Sequence, residues 1–418
     1  MRIGYACLAI GVADASFKSC TLKHANDEKL VEITSSNLDA LGALLTYNQE
    51  CGIHLFRISS DIIPFGSHPA ISFDWDIRFQ DQLTFLGEKA RSADIRLSLH
   101  PGQYTVLNSP DPNVVERAIA DLRYHCRLLD LLHADSSAKM ILHVGGAYGN
   151  KQAALERFAV NYRKLDDNIR RRLVLENDDR IFTIEDVLDL GLSLRCPVVF
   201  DNLHNEVNPS CTDMSESAWI SACAQTWQHE DGAPKTHYSQ QAQNKRLGSH
   251  SRTIDADAFL AHLSNIHDDV DVMLEVKDKN LSAVKCLLCS NSQGKINDLE
   301  KEWARYKYLV LEHSPQAYSA IRALLKNKSA YPALAFYRHI DAALAQTPEI
   351  GMRVNAAQHV WGYFSGKATE KEKARFDALM GKYIAGTGSI DAVKRHLFKL
   401  SQHYREEYLM QSYYFFMD

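Results

Sequence analysis

Short runs of apolar residues recur along the first 290 residues, and a stretch with helical periodicity follows each of them. The eight runs are Arg2–Cys7, His54–Ser59, Ile95–His100, Lys139–Val144, Arg172–Glu176, Pro197–Asn202, Pro234–Tyr238 and Val270–Val276. Between the third and fourth runs, apolar residues from Val115 to Leu132 recur at steps of three and four, which is typical of one helix face. The first helical stretch is expected to open at Thr34–Ser36, which suit an N-cap. Eight alternations predict an α/β fold, a parallel (β/α)8 TIM barrel, with a doubly wound open sheet as the alternative.

The pattern changes to helices alone after a polar, glycine-bearing segment at residues 290–295, which reads as a linker. Ser314 followed by Pro315 predicts an N-cap and a first helical residue. Thr369 with Glu372 fits a capping box. The sequence therefore predicts two domains: a barrel over residues 1–290 and a smaller all-α domain over residues 300–418.

Composition excludes several classes of protein. The chain has 418 residues, 45% of them apolar and 24% charged, so it can bury a large core. Neither a membrane-spanning run nor a signal peptide is evident, and nine scattered cysteines favour reduced thiols and a cytoplasmic location. A G-x-G-x-x-G fingerprint does not follow the first apolar run, so no nucleotide cofactor is expected.

Charge is distributed unevenly between the two predicted domains. Residues 1–300 carry 30 Lys+Arg against 41 Asp+Glu, whereas residues 301–418 carry 17 against 11. Local acidity is consistent with bound cations, because carboxylates held together repel one another until a metal neutralises them. The positive excess of the second domain would suit a phosphate backbone, although so modest an excess is ordinarily a solvated face.

Metal-ligand side chains stand at the ends of the predicted strands, where barrel active sites lie. In chain order they are His68, His100, His143, Glu176, Asp201, His204, His237, His250 and Glu275. A lone histidine on a strand is usually structural, but so many convergent groups would be costly to bury without a metal. Imidazole and carboxylate ligands suit zinc, manganese or iron. Nine groups exceed the four of a closed zinc site, so more than one ion is predicted.

Several strings resemble the ultraviolet damage endonuclease family over roughly residues 1–290. They are Ser59–Pro64, Leu99–Tyr104, His143–Lys151, Leu175–Asp179, Val199–Asp201, Pro234–Lys235 and Ser249–His250. The resemblance implies a metal-dependent endonuclease that cuts damaged double-stranded DNA 5′ to ultraviolet photoproducts and to some other lesions, abasic sites among the candidates. It implies up to three manganese ions, with Zn²⁺, Mg²⁺ or Co²⁺ as alternatives, and the nine groups above as ligands.

The resemblance also implies roles for particular residues. Glu176, Glu275, Lys235 and His237 would be catalytic; Gln103 and Tyr104 would be probes that enter the space left by unstacked bases, and Tyr5 would stack on a lesion base. Ala9 departs from an asparagine that is frequent in the family near this tyrosine. Lys235 stays open at this point: its amine would contact a DNA phosphate, or would be carboxylated and bridge two metals.

Residues 300–418 resemble a family of unknown function through the string Asn355–Phe364, so their partner is left unassigned. Two other functions remain for the whole chain. A sugar isomerase or epimerase similar to xylose isomerase would use comparable ligands around two ions. A damage-binding protein without catalysis would use its metals only to hold the barrel together.

Overall fold

The structure, a computed structural model, describes residues 1–267 and 269–417. The chain divides into two compact units. The barrel unit comprises Met1–Ala9 and Asp14–Val284, and the helical unit comprises Ile10–Ala13 and the chain from Lys285 onward.

Parallel strands of the barrel unit form one closed sheet in the order β1 to β8. They are β1 (Ile3–Ala6), β2 (Leu55–Arg57), β3 (Arg96–Leu99), β4 (Lys139–His143), β5 (Leu173–Glu176), β6 (Val198–Asp201), β7 (Lys235–Tyr238) and β8 (Asp271–Leu274). Strand β1 pairs with both β2 and β8, which closes the barrel. The TIM-barrel prediction is confirmed, and the open-sheet alternative is wrong.

Helices surround the barrel and then make up the helical unit. Those from the first strand to the end of the barrel are α1 (Asp27–Glu50), α2 (Trp75–Arg78), α3 (Gln80–Ser92), α4 (Pro112–Leu131), α5 (Lys151–Tyr162), α6 (Asp167–Arg172), α7 (Ile184–Leu194), α8 (Asn202–Val207), α9 (Glu216–Ala224), α10 (Ala256–Leu263) and α11 (Asn280–Ser290). Those that follow are α12 (Ile296–His313), α13 (Pro315–Leu324), α14 (Ala333–Leu344), α15 (Ile350–Trp361), α16 (Glu370–Ile384), α17 (Ile390–His403) and α18 (Glu407–Met410).

Capping residues and apolar spacing explain where the barrel helices lie. Asp111 caps α4 and Pro112 takes its first turn, while Val115, Ala118 and Leu122 are buried as the periodicity predicts. The expected start of the first helix at Thr34–Ser36 is wrong. Helix α1 begins at Asp27, because the side chain of Asn26 accepts a hydrogen bond from the Lys29 amide and caps it.

The helical unit has its own core, which includes Val360, Phe364, Val393 and Leu397, all with no exposed surface. The predicted caps are present: Ser314 accepts from the Ala317 amide. The Thr369 capping box closes at the start of α16. Within the described residues, none of the helices combines the length and the apolar character needed to cross a membrane.

Candidate metal centre

Glu176, at the end of β5, is the centre of the polar cluster at the barrel mouth. Its side chain is completely buried. His237 Nδ1 lies 2.6 Å from Glu176 Oε1, and His100 Nε2 lies 3.0 Å from Oε2. His143 Nε2 lies 3.4 Å from the same Oε2. Strand register explains this convergence, because His143 pairs with Glu176 in the sheet.

Three groups of potential ligands share this one carboxylate. Within each group, the ligand atoms lie within 4.8 Å of one another. The groups are His100, His143 and Glu176; Glu176, Asp201 and His204; and Glu176, His237 and Glu275. Each group could hold an ion, and a glutamate common to all three could bridge them.

Hydrogen bonds behind the cluster orient its side chains. Asp201 caps α8 with Oδ1, which accepts from the His204 amide at 2.7 Å. The Nδ1 of His204 lies 2.9 Å from the Asn177 carbonyl, and the Nδ1 of His100 lies 3.1 Å from the Pro101 carbonyl. If both Nδ1 atoms carry the proton, each Nε2 keeps its lone pair, as in histidine metal ligands.

Electrostatics of the cluster reflect carboxylates packed together out of water. Burial raises the pKa of Asp201 to about 6, against the lowering effect of His204. Burial alone would lower the pKa of His204, but Asp201, Glu176 and Glu275 raise it to about 9. Burial lowers the pKa of His143, which favours the neutral imidazole that a metal needs.

Buried polar atoms without hydrogen-bond partners test whether a metal fits here. Asp201 Oδ2, His143 Nδ1 and His237 Nε2 have none among the described residues. Such orphaned atoms are costly unless a ligand satisfies them. Asp201 Oδ1 caps α8, whereas Oδ2 has no hydrogen-bond partner, so the same carboxylate can cap the helix and bind an ion at the same time. The donor set of imidazoles and carboxylates fits divalent transition ions.

Two predicted ligands lie further from the centre. His250 Nε2 is 3.8 Å from Glu275 Oε2, at the edge of the cluster. His68 lies on the loop after β2, where its Nδ1 accepts from the Ala70 amide at 3.2 Å. Among the described residues, His68 and His250 belong to none of the three ligand groups.

Lys235 is the first residue of β7, two residues before His237, and it is 2% exposed. This burial disfavours the contact with a DNA phosphate, which stays a prediction. Its Nζ has no hydrogen-bond partner in the described part of the chain. Burial, followed by the positive charge of Arg96, lowers the pKa of Lys235 well below its ordinary value. A neutral amine inside the barrel is open to carboxylation, which stays a prediction.

The two predicted probe residues lie on the loop between β3 and α4, residues 100–111, which we call the probe loop. Tyr104 is 83% exposed, although large aromatic side chains are usually covered. Gln103 and Tyr104 line a cleft of about 800 Å³ that also contains His143 and His204. The cleft therefore joins the probe loop to the ligand cluster.

Tyr5 is not at this mouth, and its predicted stacking on a lesion base is wrong. The ring is fully buried and packs on Phe56 at 5.2 Å. Its hydroxyl donates to Asn48 Oδ1 of α1 at 2.9 Å, so the side chain lies between the sheet and a helix. A base cannot reach a ring that has no exposed surface.

Arg57, at the end of β2, contacts the ligand cluster and is absent from the site residues predicted from the sequence. Its guanidinium lies 2.5 Å from Glu275 Oε1. Burial would raise the pKa of Glu275, but the positive charges of Arg57 and His237 lower it. The signal was available, because an arginine inside a predicted strand with a ligand-bearing mouth needs a buried partner.

Comparison with known proteins gives a consistent family. The sequence profile described as UV-endonuclease UvdE matches residues 1–307. A UV DNA damage endonuclease of Clostridium perfringens (strain 13 / Type A) is 40% identical over 390 residues, covering 91% of this chain and 92% of that protein. The chain belongs to the UV-endonuclease UvdE family. A UV DNA damage endonuclease of Bacillus cereus (strain Q1) is 34% identical and covers 68% of this chain and 93% of its own length.

A solved structure supports the same family. The crystal structure of SacUVDE is 37% identical, with a TM-score of 0.65, and the match covers 69% of this chain and 96% of that one. A second profile, a protein family of unknown function (DUF1722), matches residues 307–417. This UvdE-family protein is a DNA-repair endonuclease, and the sugar-isomerase alternative is set aside.

Proposed function

We propose that this UvdE-family endonuclease hydrolyses the backbone of double-stranded DNA 5′ to ultraviolet photoproducts. We further propose that two or three divalent ions, manganese first among them, bind at the barrel mouth. The observation that carries the proposal is the position of Glu176, which three ligand groups share. One carboxylate serving three groups is the arrangement expected of a bridged cluster.

The protein residues have separate tasks in this reaction. Bound ions would supply Lewis-acid activation of water and of the scissile phosphate. Glu176 would bridge, and His100, His143, His204 and His237 would offer ring nitrogens around it. Glu275, Asp201, His250 and His68 would complete the ligand set. Lys235, if carboxylated, would add a further anionic ligand from β7.

Lesion recognition is proposed for the probe loop after β3. Gln103 and Tyr104 can enter a duplex, because both side chains are exposed. A damaged base pair costs less to unstack than an intact one, so a wedge favours lesions. The cleft beside the loop would then hold the unstacked nucleotides next to the ligand cluster. Because no disulfide joins the cysteines of the described residues, a reducing compartment such as the cytoplasm is proposed for the enzyme.

One assay tests activity, substrate and metal together. Ultraviolet-irradiated and untreated supercoiled plasmid are incubated with protein stripped by chelator, with and without added Mn²⁺. We expect nicking only of irradiated plasmid with metal restored, and ends mapped 5′ to the photoproducts. Full nicking by stripped protein in chelator would contradict the metal proposal. Binding of irradiated plasmid without nicking under every metal tested would leave a damage-binding protein.

A further inference from the structure

Four tyrosines and a lysine form a cluster in the helical unit, and the lysine lies against two of the rings. We call Tyr308, Tyr318, Tyr363 and Tyr408, with Lys307, the tyrosine cluster. The Tyr308 hydroxyl donates to the Tyr363 hydroxyl at 2.8 Å. The ring centroids of Tyr363 and Tyr408 are 6.0 Å apart, with their planes 14° from parallel. Helix α12, helix α13, the turn after α15 and helix α18 each contribute one tyrosine.

The cluster is anchored on one side and open on the other. Tyr308 belongs to the buried core of the helical unit. Tyr363 and Tyr408 are 36% and 37% exposed. Both rings stand edge-on to Tyr308, with interplanar angles of 89°. The outer pair is thus a held aromatic surface, with its geometry fixed by the core beneath it.

Cations border these rings and lack carboxylate partners. Lys307 Nζ lies 4.9 Å from the Tyr308 ring centroid and 5.9 Å from that of Tyr408. The exposed guanidinium of Arg322 lies 5.6 Å from the Tyr318 ring. In residues 1–267 and 269–417, neither Lys307 nor Arg322 forms an ion pair. Burial, followed by the charge of Arg322, lowers the pKa of Lys307, as expected for cations without a counter-ion.

Aromatic faces beside unpaired cations match the chemistry of an unpaired nucleic-acid strand. Bases of any sequence stack on aromatic rings, and phosphates pair with neighbouring cations. A duplex hides its base faces, so an intact duplex would use only the cations. The excess of positive charge in residues 301–418 favours a polyanion over a neutral ligand.

We propose that the tyrosine cluster binds an unpaired stretch of DNA. Bases stack on Tyr363 and Tyr408, and phosphates pair with Lys307 and Arg322. The site is built by residues of the helical unit alone, and it gives a binding role to a segment whose family has no known function. The proposal rests on DNA being the substrate of the chain, and not on which metal the barrel holds.

The test measures binding by the full-length chain in EDTA, so that cleavage plays no part. The probe is a fluorescein-labelled 15-nucleotide oligo(dT), followed by anisotropy in a Gln103→Ala/Tyr104→Ala background that removes the two proposed probe side chains. Tyr363→Ala/Tyr408→Ala should weaken binding by about 10-fold or more, since stacking of each base contributes substantially. Tyr363→Leu/Tyr408→Leu keeps the apolar bulk, and should weaken binding similarly even if the alanine variant folds poorly.

The cations are tested through salt dependence. Lys307→Gln/Arg322→Gln should reduce the slope of log affinity against log salt by about 1.4, because each phosphate contact with a single strand contributes roughly 0.7. Phe416→Ala and Lys399→Gln change an exposed aromatic and an exposed cation elsewhere in the helical unit, and should change neither affinity nor slope.

Competitors define the ligand. Unlabelled oligo(dT) should displace the probe at lower concentration than duplex DNA. Equal competition by oligo(rU) would extend the site to RNA, and weaker competition would restrict it to DNA. Equal affinity of the tyrosine variants and the controls, or displacement by poly-glutamate as effective as that by oligo(dT), would overturn the proposal. Because cleavage is not measured, either result is independent of the barrel's activity.

Discussion

At the scale of single residues, the position of Glu176 determines what the barrel mouth can do. Burial alone would raise its pKa, but the charge of His237 and the hydrogen bonds of His100 and His237 hold the pKa well below its ordinary value. The carboxylate is therefore ionised in the apo protein, ready for cations. Among the described residues, no other carboxylate could bridge all three ligand groups, because Asp201 and Glu275 belong to one group each.

Glu176→Gln keeps the size of the side chain and removes the charge that three groups share. We expect fewer metal equivalents by elemental analysis and at least about 100-fold slower nicking, a loss beyond that of changes behind the ligands. Binding of irradiated DNA in EDTA should change little, since the probe loop is intact. Full metal content in the variant would contradict a bridging role.

Behind the ligands, Asn177 holds the backbone of Asp201 in place. Its amide donates to the Asp201 carbonyl at 3.0 Å and accepts from the Asp201 amide at 2.9 Å. Asn177→Ala would leave both buried groups unpaired and cost about 2–3 kcal/mol of unfolding free energy. We also expect roughly 10–100-fold weaker metal binding by calorimetry.

Asn202→Ala is the matched control for that change. Asn202 makes the same two bonds to the backbone of Ser239, at 3.0 and 2.8 Å. Ser239 is not a predicted ligand, so the control should lose similar stability and much less metal affinity. Equal losses of metal affinity in Asn177→Ala and Asn202→Ala would show that the effect is general strain.

At the scale of elements, the sequence predicts the strands better than their ends. The eighth predicted run, Val270–Val276, contains the observed β8 (Asp271–Leu274), and β2 is likewise shorter than predicted. The apolar runs extend beyond the last residue that pairs in the sheet. The residues between the end of a strand and the barrel mouth are also buried, so the sequence does not mark where pairing stops. The sequence misplaces the start of α1, because Thr34 resembles a capping residue but is buried in the middle of the helix, and Asn26 is the residue that caps it.

The side to which a strand residue points is the part that the sequence could not supply. Ligands mark the inner face of most strands, so the convergence of His100, His143 and Glu176 could be predicted. Strand β1 carries no such marker. Ala6 lies inside with Leu55 and Met273, which turns Tyr5 outward. Only the register between strands decides this, and register depends on contacts that are distant along the chain.

The probe loop after β3 gives a prediction at this scale. Gln103→Ala/Tyr104→Ala should lower the ratio of affinities for irradiated and intact duplex by about 10-fold, the order expected when an aromatic contact with a base is lost. Stability should not change, because Tyr104 is exposed. Phe85→Ala removes another exposed ring, on α3, and should preserve the ratio. An unchanged ratio in the double variant would exclude the wedge.

At the scale of the whole molecule, the predicted metal ligands and the tyrosine cluster lie in different units of the chain. All nine predicted ligands lie in the barrel unit. The Clostridium perfringens relative aligns over 91% of this chain, so the combination of both parts is shared. Charge follows the same division, with acidity in the part that would bind ions and positive excess in the part proposed to bind a strand.

Metal should therefore stabilise one unit and not the other. An ion present at 1,000 times its dissociation constant stabilises the native state by about 4 kcal/mol. For a barrel of this size that corresponds to a rise of roughly 10 °C in Tm. Calorimetry with Mn²⁺ or EDTA should show one unfolding transition that moves and one that does not. Two transitions that shift equally would contradict the assignment of all ligands to the barrel.

Arg57 is a counter-ion for Glu275 that is built into the chain, and His237 and His100 lie within hydrogen-bond distance of Glu176. A newly synthesised chain can thus fold with Glu275 and Glu176 already partnered by side chains of the barrel, before any ion arrives. Folding and loading become successive steps, in contrast to small domains that are unfolded without zinc. Cells short of metal would then hold a reserve of folded, inactive enzyme, and the supply of ions, not new synthesis, would set how quickly repair begins.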